Sequence, residues 1–97
     1  MENYQFQDIV IRFDVFKDGE SATPLQAKVI AYDPDKEYIL TDFALIKGNE
    51  VRYVLDGREV TKIGKYTFVF KARIRELGDY THIVKMDVKE LPVPILD

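Results

Sequence analysis

The sequence predicts an all-β fold in which about seven short antiparallel strands form two facing sheets, a β-sandwich. Three observations support this prediction. Apolar and polar residues alternate with the two-residue period of a strand in most of the chain. Turn signals rich in Gly, Asp and Pro separate these stretches at intervals of about 8 to 12 residues. No segment has the apolar spacing of a long amphipathic helix.

Length and composition are those of one compact domain. The chain has 97 residues, of which 46% are apolar and 32% charged, which supports one core and is too apolar for a disordered segment. We therefore predict a sandwich domain over residues 1–90. Residues 91–97, LPVPILD, are predicted to be a tail or linker, because alternate prolines remove ladder donors and favour extended chain.

The first part of the chain supplies four or five strands. Residues 9–16, 25–32 and 50–55 each alternate, and residues 37–47 read as one bent strand or two short strands. In the first two of these strands, the residues predicted to face inward are Ile9, Ile11, Phe13, Val15, Leu25, Ala27, Val29 and Ala31.

The last part of the chain is predicted to form a long hairpin. A turn is expected at Asp56 and Gly57, and residues 58–63 fit either a short strand or one helical turn. The even-numbered residues of 66–74 and of 80–88 then form two apolar faces. These faces coincide only if even-numbered residues pair with even-numbered residues, which requires a loop of three or five residues.

Residues 64–71, GKYTFVFK, partly match the aromatic strand of an RNA-recognition domain. Tyr66 and Phe68 fit that motif, whereas Gly64 and Lys71 stand where it has a basic residue and a ring. The motif also requires two helices behind the sheet, for which this chain has no sequence. We therefore predict that the rings are buried. The whole pattern is typical of an antiparallel immunoglobulin-like β-sandwich, with a closed barrel as the alternative.

Charge and composition exclude several function classes. A net charge of -3 disfavours approach to nucleic acid or to an anionic membrane, so neither is expected as a partner. The first residues lack a basic and apolar leader, so no signal peptide is predicted. The chain has no Cys, which removes disulfides and thiol chemistry without indicating a compartment.

Residues for catalysis or for a cofactor are scarce. Ser21 is the only Ser and His82 the only His, and His82 lies on an apolar strand face, so we expect no catalytic residues and no cofactor. Acidic residues crowd the turn that contains Asp33 and Asp35. Their spacing does not match a calcium-binding loop, so a solvated turn is predicted, with weak calcium binding as the alternative.

Apolar residues on outer strand faces are the best candidates for a binding site. The predicted interaction residues are Ile30, Tyr32, Val54 and Ile83 on outer strand faces, together with Ile95 and Leu96 in the Pro-containing tail. A cluster of such residues would form the kind of patch that marks a protein interface. Lys71, Arg73 and Arg75 add a basic stripe, which indicates either protection of a sheet edge or recognition of an acidic partner.

Residues 8 to 88 resemble the N-terminal immunoglobulin-like domain of phage baseplate upper proteins. The segments PLQAKVIAY and EVRYVLDGREVTKIGKYTFVF, with Gly64, Lys65 and Tyr66 opening a long strand, carry the resemblance. It implies a structural module that anchors tail components, commonly in trimers.

We therefore expect a non-enzymatic module that binds other protein chains, with self-association into a dimer or trimer as one form of this. The expected location is the virion or the bacterial cell surface. The alternative is an adhesive or carbohydrate-binding module.

Overall fold

The strands lie close to where the alternation predicts them. The computed structural model describes residues 2–74 and 78–92. The bounds of its elements are β1 (Asn3–Tyr4), β2 (Ile9–Asp14), β3 (Phe16–Lys17), β4 (Glu20–Ser21), β5 (Pro24–Tyr32), β6 (Tyr38–Phe43), β7 (Leu45–Lys47), β8 (Glu50–Leu55), a 3-10 helical turn (Gly57–Glu59), β9 (Gly64–Ile74) and β10 (Gly78–Lys89).

The all-β class is confirmed. Ten strands occur in the described ranges, where about seven were predicted, and three of the ten (β1, β3 and β4) have only two residues. Within these ranges no helix is long and apolar enough to cross a membrane.

The strands form two main sheets and a small hairpin. The larger sheet has five strands in the order β1-β10-β9-β5-β6, and the smaller has the order β2-β8-β7. Strands β3 and β4 pair only with each other. All pairs are antiparallel except β1 with β10, which is parallel. The strands form separate sheets that face each other, so the alternative prediction of a closed barrel is wrong.

One apolar core lies between the two main sheets. Both sheets supply fully buried side chains to it, and the ring of Phe13 on β2 meets that of Phe70 on β9 at 4.9 Å between centroids. Tyr66, Phe68 and Phe70 have no exposed surface, so the prediction that these rings are buried is confirmed. The partial RNA-recognition motif is therefore the inner face of a core strand.

The predicted inner faces are correct except at Leu25. Ile9, Ile11 and Val15 are buried, whereas Leu25 is 61% exposed and Pro24 is buried in its place. The pairing of β5 with β9 shifts between Pro24 and Gln26, so an extra residue interrupts the ladder there. A β-bulge of this kind reverses the alternation beyond it, which strict two-residue periodicity cannot anticipate.

The hairpin of β9 and β10 has the predicted parity. Phe68 pairs with Val84 and Tyr66 with Met86, so even-numbered residues face even-numbered residues along the whole ladder. The last pair is Ile74 with Gly78, which leaves the three residues 75–77, outside the described ranges, to connect the strands. This is the shorter of the two predicted loop lengths.

Residues 37–47 form two short strands in different sheets. The last pair of β6 with β5 is Phe43 with Lys28, and the N–H of Ala44 then donates to the carbonyl of Ala27 at 2.9 Å. Strand β7 then pairs with β8. The chain therefore crosses from the larger sheet to the smaller one at Ala44, and of the two predicted alternatives the pair of strands is correct.

The Asp56–Gly57 signal begins a 3-10 helical turn, and no hairpin forms there. The Asp56 side chain accepts from the N–H of Arg58, which caps the turn. A Cβ on Gly57 would lie 2.5 Å from the carbonyl oxygen of Phe6, too close for any side chain. Gly57 is therefore required by the close approach of the N-terminal segment, and the helical alternative for the first residues of 58–63 is correct.

Two features mark the start of strand β9. Gly64 has φ +132°, and a Cβ there would meet Pro34 at 2.8 Å, so only glycine fits. Two residues later the buried Tyr66 hydroxyl donates to the carbonyl of Lys62 at 3.1 Å and accepts from the N–H of Lys62 at 3.0 Å. The Tyr66 hydroxyl thus satisfies both the N–H and the carbonyl of Lys62, in the loop that leads into the strand.

A second tyrosine connects the two sheets. The Tyr53 hydroxyl on β8 donates to the Asp42 carboxylate on β6 at 3.3 Å. Burial of the ring, followed by the negative charge of Asp42, raises the pKa of Tyr53 to about 12. Because a charged phenolate is disfavoured here, Tyr53 holds its proton at pH values where a free tyrosine loses it.

Replacing Tyr66 by Phe is expected to lower the free energy of unfolding by about 1–3 kcal/mol, since both backbone groups of Lys62 lose their partner. Urea denaturation measures this change. Tyr38→Phe is the matched control, because its hydroxyl binds the exposed Thr41 side chain, and it should cost less than about 0.5 kcal/mol. Equal stability of the Tyr66→Phe variant and the wild type would contradict the role of this hydroxyl.

The raised pKa of Tyr53 predicts a loss of stability in alkali. From the ordinary tyrosine value near 10 up to about 12, the unfolded chain releases a proton that the folded chain keeps, so the free energy of unfolding falls as pH rises. Urea denaturation at about pH 9 and about pH 11 measures this fall. Tyr53→Phe should show a smaller fall than the wild type; an equal fall in the two proteins would refute the assignment.

Candidate interaction site

Apolar side chains form a row across the outer face of the five-stranded sheet. Ile30 on β5 pairs with Val69 on β9, and Val69 pairs with Ile83 on β10. Ile83 is 56% exposed, while Ile30 and Val69 are half-buried by their neighbours. These three residues, called the apolar row below, are neighbours because residues opposite each other on adjacent strands share one face of the sheet.

Aromatic residues extend the apolar row toward the β6 edge. Tyr32 follows Ile30 on the same face of β5, and its ring meets that of Tyr38 edge-on at 6.4 Å between centroids. Phe43, at the end of β6, is 58% exposed and has the Lys28 ammonium 5.9 Å from its centroid. The face therefore offers both aliphatic and aromatic contact surface.

Basic residues lie beside the apolar row. Lys28 on β5 stands directly opposite Lys71 on β9, and Gln26 stands opposite Arg73. With Asp79, whose carboxylate lies 3.9 Å from Arg73, these residues line a shallow depression of about 160 Å³. Like charges placed directly opposite each other destabilise a sheet. An acidic partner would relieve this repulsion.

Basic residues outnumber acidic residues on the outer sides of β5, β9 and β10, although the chain as a whole has a net charge of -3 and Lys89 is paired with Glu2 at 2.6 Å. The charged residues on the outer sides of β5, β9 and β10 are Lys28, Lys65, Lys71, Arg73, Lys85 and Lys89, against Asp79 and Asp87. The sequence predicted the stripe of Lys71, Arg73 and Arg75, of which Arg75 lies outside the described residues. It did not reveal Lys28, because only the pairing of β5 with β9 brings Lys28 to Lys71.

The predicted interaction residues do not all share one surface. Ile30, Tyr32 and Ile83 lie on the outer face of the five-stranded sheet, as described above. Val54 pairs with Val10 on the outer face of the smaller sheet, on the opposite side of the domain, where it is 45% exposed. Val54 therefore lies apart from the other described members of the set, because alternation shows that a residue faces outward without showing from which sheet. Predicted residues Ile95 and Leu96 lie outside the described residues.

The only His and the only Ser lie in separate elements. The His82 ring, on β10, packs against Phe13 at 4.3 Å and stacks with Tyr80 at 6.1 Å between centroids. Ser21 is exposed on β4, in the small hairpin. The aromatic surroundings of His82 are those of a side chain at the margin of the core, in agreement with its predicted place on an apolar face.

The acidic turn between β5 and β6 is bound by a lysine. One oxygen of Asp33 accepts from the N–H groups of Asp35 and Glu37, and the other lies 2.9 Å from the Lys62 ammonium. Lys62 also reaches Asp35 at 2.8 Å. The Lys62 ammonium, followed by the backbone bonds, lowers the pKa of the Asp33 carboxyl. Lys62 thus balances the negative charge of Asp33 and Asp35.

Metal binding gains no support at this turn. In residues 2–74 and 78–92, no three His, Cys, Asp or Glu side chains are arranged to hold a metal ion. The ion pairs of Lys62 instead join the β5–β6 turn to the loop before β9. The sequence did not predict this connection, since the partners are far apart along the chain and no pattern relates them.

Comparison of the chain with protein-family models, with curated proteins and with solved structures finds no match.

Replacing Lys62 by Met should raise the pKa of Asp33 toward its ordinary value, because the ammonium is the main cause of the lowered value. The two backbone N–H bonds should keep the pKa from returning completely. In the wild type, this carboxylate contributes stability at pH values above its unfolded pKa, and the contribution is lost as pH falls through the folded pKa.

An NMR pH titration of the Asp33 carboxyl measures the effect of Lys62→Met. Lys65→Met removes a nearby exposed charge and should leave the pKa of Asp33 nearly unchanged. Similar titration curves for the Lys62→Met variant and the wild type would show that the ammonium does not hold this carboxylate.

Proposed function

We propose that this chain is a non-enzymatic protein-association module that binds other protein chains through the outer face of its five-stranded sheet. The observation that carries the proposal is the apolar row of Ile30, Val69 and Ile83, with the basic residues Lys28, Lys71 and Lys85 beside it. Apolar patches with a polar rim are typical of protein interfaces. The charge of the rim favours a partner with acidic residues around an apolar centre.

We propose in addition that the domain is an immunoglobulin-like sandwich. Support comes from the strand order, in which β2-β8-β7 faces a sheet that includes β10-β9-β5. The Tyr66 hydroxyl, bonded back to Lys62 near the start of β9, supports it as well, since a tyrosine in this position is a hallmark of such sandwiches.

We propose that the setting of this module is a phage tail or baseplate, and hence the virion. This rests on the resemblance of residues 8 to 88 to the N-terminal domain of baseplate upper proteins. A sandwich with an apolar patch on its outer face suits a structural role of this kind, because it can dock on a neighbouring subunit without moving parts.

One observation favours a second candidate, an adhesive or carbohydrate-binding module at the bacterial cell surface. Tyr32 and Tyr38 form an edge-on aromatic pair on the proposed face, and Tyr38 is 60% exposed. Exposed rings can pack on the apolar faces of sugars. A glycan array probed with the wild-type chain and with Tyr38→Ala distinguishes the two functions, because only the adhesive function predicts binding that depends on Tyr38.

The experiment that tests protein association is co-purification with the products of neighbouring genes. Ile30→Glu is expected to reduce recovery of the partner about tenfold or more, because it buries a charge at the centre of the interface. Val54→Glu is the matched control: it places the same charge on the opposite face, on a residue that is 45% exposed. Circular dichroism checks that both variants are folded.

Two outcomes would overturn the proposed face. One is equal recovery of the partner with folded Ile30→Glu and with the wild type. The other is a loss of recovery with Val54→Glu that matches the loss with Ile30→Glu, since the binding surface would then not be the outer face of the five-stranded sheet.

A further inference from the structure

Strand β10 has a long edge on which no other strand lies in the described residues. Strand β1 pairs with β10 only at Val88 and Lys89. Residues 78–87 are paired with β9 on one side, and within residues 2–74 and 78–92 no strand pairs with their other side. An edge of this length presents a row of backbone donors and acceptors that another strand can use.

The side chains of this edge are also incompletely covered. On the inner face, Tyr80, His82, Val84 and Met86 are only half-buried, whereas the facing residues of β9 are fully buried. On the outer face, Ile83 ends the apolar row with 56% of its surface exposed. A further strand beside β10 would cover both sets of side chains and continue the sheet.

We propose that the strand that completes this edge is β10 of a second copy of the chain, in antiparallel pairing centred on His82. This inference rests on the proposed function in protein association and names one partner for it. The pairing joins residues 78–86 of one copy to residues 86–78 of the other, so that two five-stranded sheets become one continuous sheet.

Geometry leaves two principal registers for such a pair. A two-fold axis perpendicular to the sheet places the inner faces of both copies on the same side of the joined sheet. Even-numbered residues of one copy must therefore pair with even-numbered residues of the other, and odd-numbered with odd-numbered. The pairing must also stay within residues 78–87, because β1 takes Val88 and Lys89. Pairing centred on His82 uses residues 78–86, and pairing centred on Ile83 uses residues 79–87.

Charge distinguishes the two registers. Centred on His82, Asp79 of each copy lies opposite Lys85 of the other, which gives two ion pairs on the outer face. Centred on Ile83, Asp79 lies opposite Asp87 twice, and two like-charge pairs result. Since like charges directly opposite each other are unfavourable and opposite charges are favourable, the register centred on His82 is selected.

The same charges identify a second copy as the occupant. A strand of unrelated sequence would need a cation opposite Asp79 and an anion opposite Lys85, with the same separation. An antiparallel second copy of β10 meets this requirement, because its Lys85 lies opposite Asp79 of the first copy and its Asp79 lies opposite Lys85 of the first copy. The half-buried inner residues match as well, with Tyr80 opposite Val84 on both sides of the two-fold axis.

Charge reversal tests the register. The variants Asp79→Lys and Lys85→Asp each turn two ion pairs into two like-charge pairs, and each alone should weaken self-association by roughly tenfold or more. When the two variants are mixed, the lysine introduced in one faces the aspartate introduced in the other, and the unchanged Lys85 of the first faces the unchanged Asp79 of the second. Both pairs are again complementary, so the mixture should contain heterodimers in large excess over both homodimers.

Native mass spectrometry of the mixture separates the three dimers by mass, and sedimentation velocity over a concentration series measures each dissociation constant. Asp87→Lys is the matched control, with the same charge change on the same face of β10. It should leave self-association within roughly threefold of the wild type, whereas pairing centred on Ile83 predicts that it strengthens association. Urea denaturation of each variant checks that folding is retained.

Three results would overturn the inference: a wild-type chain that stays monomeric at every concentration, single variants that dimerise like the wild type, or a mixture with the statistical proportion of heterodimers. These results leave the proposed function separately testable. If Ile30→Glu abolishes partner binding but the charge reversals at Asp79 and Lys85 have no effect, the chain associates through the outer face of the five-stranded sheet and not through the edge of β10. If Ile30→Glu leaves partner binding intact and the charge reversals leave self-association intact, both the proposed face and the proposed edge pairing are contradicted.

Discussion

The architecture depends on the burial of one side of β9. This strand pairs with β10 on one side and β5 on the other, and it contributes a run of alternate residues, Tyr66 to Ile74, to the core. Each buried large apolar side chain stabilises the fold by about 1.5–3 kcal/mol, whereas an exposed ion pair gives at most about 1 kcal/mol. Because a slip of one residue would expose all five of these side chains, the core selects the register of both neighbouring strands.

The same register creates the outer face. Once Phe68 and Phe70 are buried, Val69 must point outward, and its partners Ile30 and Ile83 must do so beside it. The apposition of Lys28 and Lys71 follows in the same way, two residues further along the ladder on the same face. The unfavourable meeting of two lysines is tolerated because the core beneath them contributes far more free energy than their repulsion costs.

Properties that repeat along one strand were predictable from the sequence. The inner face of β9, the parity of the hairpin and the buried rings of GKYTFVFK all follow from alternation alone. Properties that depend on which strands are neighbours were not: Val54 and Ile30 look alike in sequence, yet they lie on opposite sides of the domain. Leu25 faces outward because of one extra residue in β5, and neither propensity nor hydrophobicity marks that residue.

Charged side chains on the edge of β10 restrict the registers in which another strand could pair with it. An uncharged edge with Thr81, Ile83 and Val84 would accept many strands in many registers, which leads to aggregation. Asp79, Lys85 and Asp87 on its outer side make most of these registers unfavourable, since each slip of two residues brings different charges together. An antiparallel copy of the same strand centred on His82 satisfies Asp79 and Lys85 at once. The charges that protect the edge from other strands are thus the charges that would admit its own copy in a single register.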